Sequence, residues 1–111
     1  MIEIKEDEKV NKIILRVKGR LDATSVPILE NKFVEGIEEG NMDFVVDCRE
    51  LEYLSSAGMR LLLAYTKKLK NREGSLHLYG LGKEILEIIK MGGFEQILHI
   101  HNEEKEALQI D

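Results

Sequence analysis

Two adjacent serines, Ser55 and Ser56, stand where an apolar run gives way to a helical pattern, in the segment Leu51-Glu52-Tyr53-Leu54-Ser55-Ser56-Ala57-Gly58-Met59-Arg60. A hydroxyl at a helix start has two uses. It can accept a hydrogen bond from one of the amides that the first turn leaves without a partner. If it faces solvent, it can also accept a phosphoryl group, which adds about −1.5 to −2 charges at neutral pH. Free amides and the helix dipole tolerate such a charge in the isolated protein. A partner docked tightly, or carrying acidic groups, would be repelled by it. The small Ala57-Gly58 step leaves the first turn narrow, so a neighbouring strand or a partner can approach closely.

Other reactive side chains offer less. Ser56 lies outside any Gly-x-Ser-x-Gly elbow, and no histidine is spaced to serve it as a base. Cys48 ends an apolar run and reads as a small buried hydrophobe rather than a thiolate. His99 and His101 alternate on one strand and share a face, but two imidazoles fall short of the three or four ligands usual for zinc. His77 and Cys48 join them only if the sheet order allows. Asp22 and Asp47 each close a strand-like run. They fit turn caps as well as an acid–base pair above the sheet. Gly80-Leu81-Gly82 lacks the third glycine of a dinucleotide loop, and Gly92-Gly93 reads as a helix stop. No catalytic residue, metal or cofactor is expected.

The elements that must hold these residues follow from hydrophobic period. Ile2 and Ile4 alternate with charges, Glu6 to Lys9 reads as a turn, and Ile13, Leu15 and Val17 alternate up to Gly19, which together suggest a hairpin at a sheet edge. Val26, Leu29, Phe33 and Ile37 then recur at helical spacing, with Thr24 or Ser25 as the cap and Pro27 in the first turn. Phe44-Val45-Val46 suits a central strand ending near Cys48. A helix from Ser55 or Ser56 to about Lys70 buries Met59, Leu62, Leu63, Thr66 and Leu69. Leu76 and Leu78 mark the next strand, and Leu81, Ile85, Ile88 and Ile89 a third helical face. A short strand lies within Phe94 to Ile100, and Asn102 offers a cap to a last helix. The expectation is one α/β domain over residues 1–111, a mixed, mainly parallel sheet packed with about four helices in the order β-β-α-β-α-β-α-β-α.

Composition narrows the function classes. With 111 residues, 43% of them hydrophobic, there is material for one core. Sixteen basic against 21 acidic residues give a net charge of −5, wrong for general binding to nucleic acid or an anionic membrane. One cysteine cannot form an internal disulfide, and no apolar run reaches the roughly 18 residues of a membrane span. The acidic, alternating amino terminus is unlike a secretion signal, so a cytoplasmic location is expected.

Several segments, in this order and spacing, resemble the STAS family, and especially its small single-domain anti-sigma factor antagonists of bacteria. They are Gly19-Arg20-Leu21-Asp22-Ala23, Val45-Val46-Asp47-Cys48, Tyr53 to Arg60, Leu78-Tyr79-Gly80-Leu81 and Gly93-Phe94. The resemblance implies a non-enzymatic protein that binds an anti-sigma factor with serine kinase activity. Phosphorylation breaks that complex and a separate serine phosphatase restores it, with no direct nucleic-acid contact and no membrane insertion. The family motif commonly reads Asp-Ser-Ser/Thr-Gly. Here Ser55 takes the Asp position, Ser56 the phosphoacceptor position and Ala57 the following hydroxyl position, with Ser55 as the second candidate. The implied partner surface comprises Asp22, Asp47, Ser55, Ser56, Ala57, Gly58, Met59 and Arg60. The alternative role is a non-switched STAS subunit of a membrane transporter or signalling assembly.

Overall fold

Five strands in the order β1-β2-β3-β4-β5 form one sheet, with β3 at its centre. The computed structural model describes residues 1–109. Strand β1 (Ile2–Lys9) pairs antiparallel with β2 (Lys12–Leu21). Strands β3 (Asp43–Leu54), β4 (Ser75–Tyr79) and β5 (His99–His101) follow in parallel register. Helices α1 (Val26–Glu38), α2 (Ser56–Asn71) and α3 (Lys83–Met91) connect the parallel strands, and α4 (Glu104–Gln109) follows β5. A three-residue 3-10 turn, Phe94–Gln96, precedes β5. The mixed, mainly parallel sheet and the element order are those expected from hydrophobic period.

The sheet is covered unequally. On one face, Leu15 and Val17 of β2, Phe44, Val46 and Cys48 of β3, and Leu76 and Leu78 of β4 pack with α1, α2 and α3 in the main core. Phe33 of α1 links this core together: its ring stacks on Tyr65 at 4.8 Å and meets the edge of Phe44 at 5.4 Å. On the other face, Ile14, Val45 and Tyr79 form a small cluster closed by Ala107 of α4. Parallel strands need cover on both faces, and here the second cover is a single short helix.

Local chemistry moves several boundaries. The charged run Glu6 to Lys9 is strand rather than turn, because Lys9 pairs with Lys12 and the reversal falls on Val10 and Asn11. Both have positive φ, 53° and 63°, the shape of a tight two-residue hairpin loop. Strand β3 continues past Cys48 to Leu54, held by pairing with Lys18 to Leu21 of β2. Ser25 occupies the cap position of α1 without capping it; its hydroxyl instead donates to the Arg20 carbonyl at 2.7 Å. At α4 the Glu106 carboxylate, rather than Asn102, accepts the free amides of Asn102 and Glu103. Ile85 and Ile89 of α3 are buried, whereas Ile88 is 56% exposed. Successive helical residues are about 100° apart, so of two adjacent isoleucines only one is centred on the core.

Candidate functional site

The two serines separate at the start of α2. Ser55 is the cap: its backbone is extended, its hydroxyl accepts the Gly58 N–H at 3.2 Å, and its carbonyl accepts the Met59 N–H. Ser56 is the first helical residue, exposed, and its hydroxyl has no hydrogen-bond partner among the described residues. One serine is therefore structural and the other is available.

Backbone contacts fix this turn to the end of β2. The Ser55 N–H donates to the Leu21 carbonyl at 2.9 Å. A Cβ on Gly58 would lie 2.8 Å from that same carbonyl oxygen, so only glycine lets α2 start this close to β2. The close neighbour at Gly58 is thus a strand of the chain itself. Asp22, the residue that follows β2, closes its own turn. Its carboxylate accepts the Thr24 hydroxyl at 2.8 Å and the Thr24 and Ser25 amides, and the Thr24 bond lowers its pKa.

Beside Ser56 runs an apolar groove of about 290 Å³ between α2 and α3, lined by Leu54, Met59, Leu63, Ile88 and Phe94. Arg60 is the one charged residue in its lining. Arg20 adds a stacked contact nearby, its guanidinium 4.1 Å from the ring centre of Tyr53, which is 41% exposed. Ile88, Phe94 and the Arg20–Tyr53 pair were not legible as surface residues. Parallel register places Arg20 opposite Tyr53, and only that register reveals the pair.

A fold of this order, with a serine-bearing turn after its central strand, matches a known family across residues 1–107: the model described as "STAS domain". The chain belongs to the STAS domain family. These are regulatory, non-catalytic domains. This STAS domain is 26% identical over 108 residues to the anti-sigma-B factor antagonist of Bacillus subtilis, covering 97% of this chain and 96% of that one. Among solved structures, an anti-sigma factor antagonist from Mycobacterium paratuberculosis superposes with a TM-score of 0.88 at 21% identity, covering 98% of this chain and 92% of the other. The Bacillus antagonist SpoIIAA is similar in fold in its unphosphorylated form (TM-score 0.79, 18% identity, 96% and 94% covered) and in its phosphorylated form (0.73, 18%, 96% and 97%).

The remaining expected site residues of the STAS domain divide. Ala57, Gly58, Met59 and Arg60 surround Ser56, and Gly58 and Met59 are largely buried by their own fold. Asp47 does not join them. It lies within β3 rather than in a loop, is 4% exposed, and bonds Arg16 and Arg49, whereas Asp22 bonds Thr24 and Ser25. Burial alone would raise its pKa, but bonds from Arg49 and Arg16 hold it at about 2. The same Arg16 bridges Asp7 of β1 and Glu104 of α4, and Tyr79 donates to Glu104 at 2.9 Å. This network ties α4 to the sheet.

The histidines do come together on that second face. His77 Nδ1 lies 2.9 Å from His101 Nε2, and the His99 ring centre is 5.0 Å from that of His77. Cys48 is on the opposite face, buried, with its thiol pKa pushed up by burial. No group of three or more potential ligands among the described residues has metal-binding geometry. Among the same residues no helix is long and apolar enough to cross a membrane.

Proposed function

We propose that this STAS domain is an anti-sigma factor antagonist. In this reading it binds an anti-sigma factor with serine kinase activity when unmodified and is released by phosphorylation at Ser56. The observation that carries the reading is the division of labour at the start of α2. Ser55 is held as a cap, while Ser56 presents an exposed, unbonded hydroxyl beside an apolar groove. Similarity to the Bacillus subtilis antagonist over nearly the whole chain supports the same role.

In the phosphorylation step the Ser56 oxygen attacks the γ-phosphorus of a nucleoside triphosphate bound by the kinase. The new Oγ–P bond forms as the β,γ-bridging P–O bond breaks. The hydroxyl proton passes to a base on the kinase, and the nucleoside diphosphate leaves. This chain contributes only the acceptor and the docking surface. A helix start accommodates the product's charge, so the free phosphorylated domain keeps its fold. The phosphate acts on the complex, where it faces a desolvated surface with too few compensating donors. A serine phosphatase resets the cycle, with no direct contact to nucleic acid at any step.

Affinity capture from the native cell, followed by addition of ATP and mass spectrometric mapping, tests the proposal. Recovery of a kinase-like partner and phosphate on Ser56 is the expected result. Recovery of transporter components alone, with no phosphate on either serine, would overturn it in favour of a constitutive subunit.

A further inference from the structure

The groove beside Ser56 has a chemistry that specifies its occupant. Its lining is apolar apart from the two serines and Arg60, and Arg60 has no ion pair among the described residues. On the α3 side, Ile88 is 56% and Met91 87% exposed, so the apolar surface continues out of the groove onto the helix. An entirely apolar segment laid here would bury the Arg60 guanidinium without a counter-charge, which is costly. A neutral polar segment would waste the apolar walls. Charge complementarity therefore calls for apolar anchors together with one carboxylate placed to meet Arg60.

Ser56 and Arg60 are four residues apart on α2, and such pairs face one another on a helix surface, with Cβ atoms roughly 5–6 Å apart. A planar guanidinium binds a phosphate through two parallel N–H bonds. The cation that an incoming carboxylate would use is thus also within reach of a phosphate on Ser56.

We infer that the groove between α2 and α3 receives an amphipathic helix of the kinase partner, carrying a carboxylate that pairs with Arg60, and that phosphate on Ser56 displaces this helix by taking Arg60 for itself. Release then has two parts, repulsion of the partner's carboxylate and loss of the cation in the groove lining that would neutralise it. The inference rests on the antagonist reading above and adds the partner's chemistry and the means of release. Apolar positions on the partner helix fall at i, i+3 or i+4, and i+7, the spacing by which a helix seats in a groove.

Two measurements test it. The first needs no partner. The full chain carrying phosphoserine at position 56, made by genetically encoded incorporation, is titrated by phosphorus NMR beside its Arg60→Gln counterpart. Capture of the phosphate by Arg60 lowers its second pKa, ordinarily near 6, so the Arg60→Gln protein should titrate about half a pH unit higher. Superimposable titrations would overturn capture. The second uses the kinase recovered as described above and compares affinities with and without phosphate. Ile88→Asp, at a position exposed enough to leave folding intact, should bind the kinase more than tenfold more weakly. Arg60→Gln should bind about tenfold more weakly and suffer a smaller further loss on phosphorylation than wild type, because the two perturbations share one contact. If Ile88→Asp binds like wild type while the kinase is still captured and Ser56 still phosphorylated, the groove proposal fails and the antagonist reading stands. If no kinase is captured at all, the reading fails and takes the proposal with it.

Discussion

The serine turn and the Arg16 network are both polar clusters at strand ends or on strand faces, yet they are opposites in how their groups are satisfied. Around Arg16 every charge has a partner: Asp7, Asp47 and Glu104 surround one guanidinium, and Arg49 and Lys9 close the rim. Around Ser56 the hydroxyl and the Arg60 guanidinium are unengaged among the described residues, and Ile88 and Met91 are exposed. The first cluster spends its charges on one another and holds α4 on the sheet. The second has donors, a cation and apolar area waiting. A saturated network signals architecture, and an unsaturated one beside a groove signals recognition.

Substituting Asp47 attacks the architectural side hardest. Asp47→Ala leaves Arg16 and Arg49 without their shared buried partner and should cost about 3 kcal/mol in urea denaturation. Kinase affinity of the folded fraction should stay within twofold of wild type. A large loss of affinity with stability preserved would place Asp47 on the recognition side and erase the contrast.

Acid reaches the same face through His77. Burial, followed by the neighbouring His99 and His101, lowers its pKa to about 4 from the ordinary 6.5. Between those values the unfolded chain binds a proton that the folded chain refuses. Stability from this group is therefore complete above pH 6.5, falls as pH drops towards 4, and changes little below that. The decline should amount to about 3 kcal/mol by denaturant titration at successive pH values, and His77→Gln should flatten it. The Asp47 and Glu104 carboxylates, both held at about 2, lose their contribution only in stronger acid.

A smaller effect separates the two serines. Ser55→Ala removes the cap on the Gly58 amide and should cost about 1 kcal/mol, read from the thermal midpoint, while leaving kinase phosphorylation of Ser56 intact. Ser56→Ala should do the reverse, abolishing phosphate incorporation at almost no cost in stability.

Much of this division is legible in residue spacing alone. The switch of period at Ser55, the Ala57-Gly58 step and the apolar Phe44–Val46 run fixed the turn on a central strand and at a helix start. The hairpin reversal at Val10 and Asn11 is hidden because valine is unusual at positive φ, and the charges of Glu6 to Lys9 imitate a turn. Asp47 reads as a strand end from its sequence neighbours, yet β3 runs on to Leu54. What decides its role is Arg16, 31 positions earlier, brought opposite it by parallel pairing. Period alone turns Ile88 inward, although Ile85 and Ile89 already fill the face towards the core. Local chemistry is written in spacing, whereas pairing and grooves depend on which elements become neighbours.

The central claim is that one exposed hydroxyl controls partner binding without rebuilding the domain. It is tested most directly by calorimetric titration of the captured kinase with the chain fully phosphorylated on Ser56 and with the unmodified chain. The account predicts more than a hundredfold loss of affinity on phosphorylation, with far-ultraviolet circular dichroism of the free chain unchanged. Equal affinities for the two forms would contradict it.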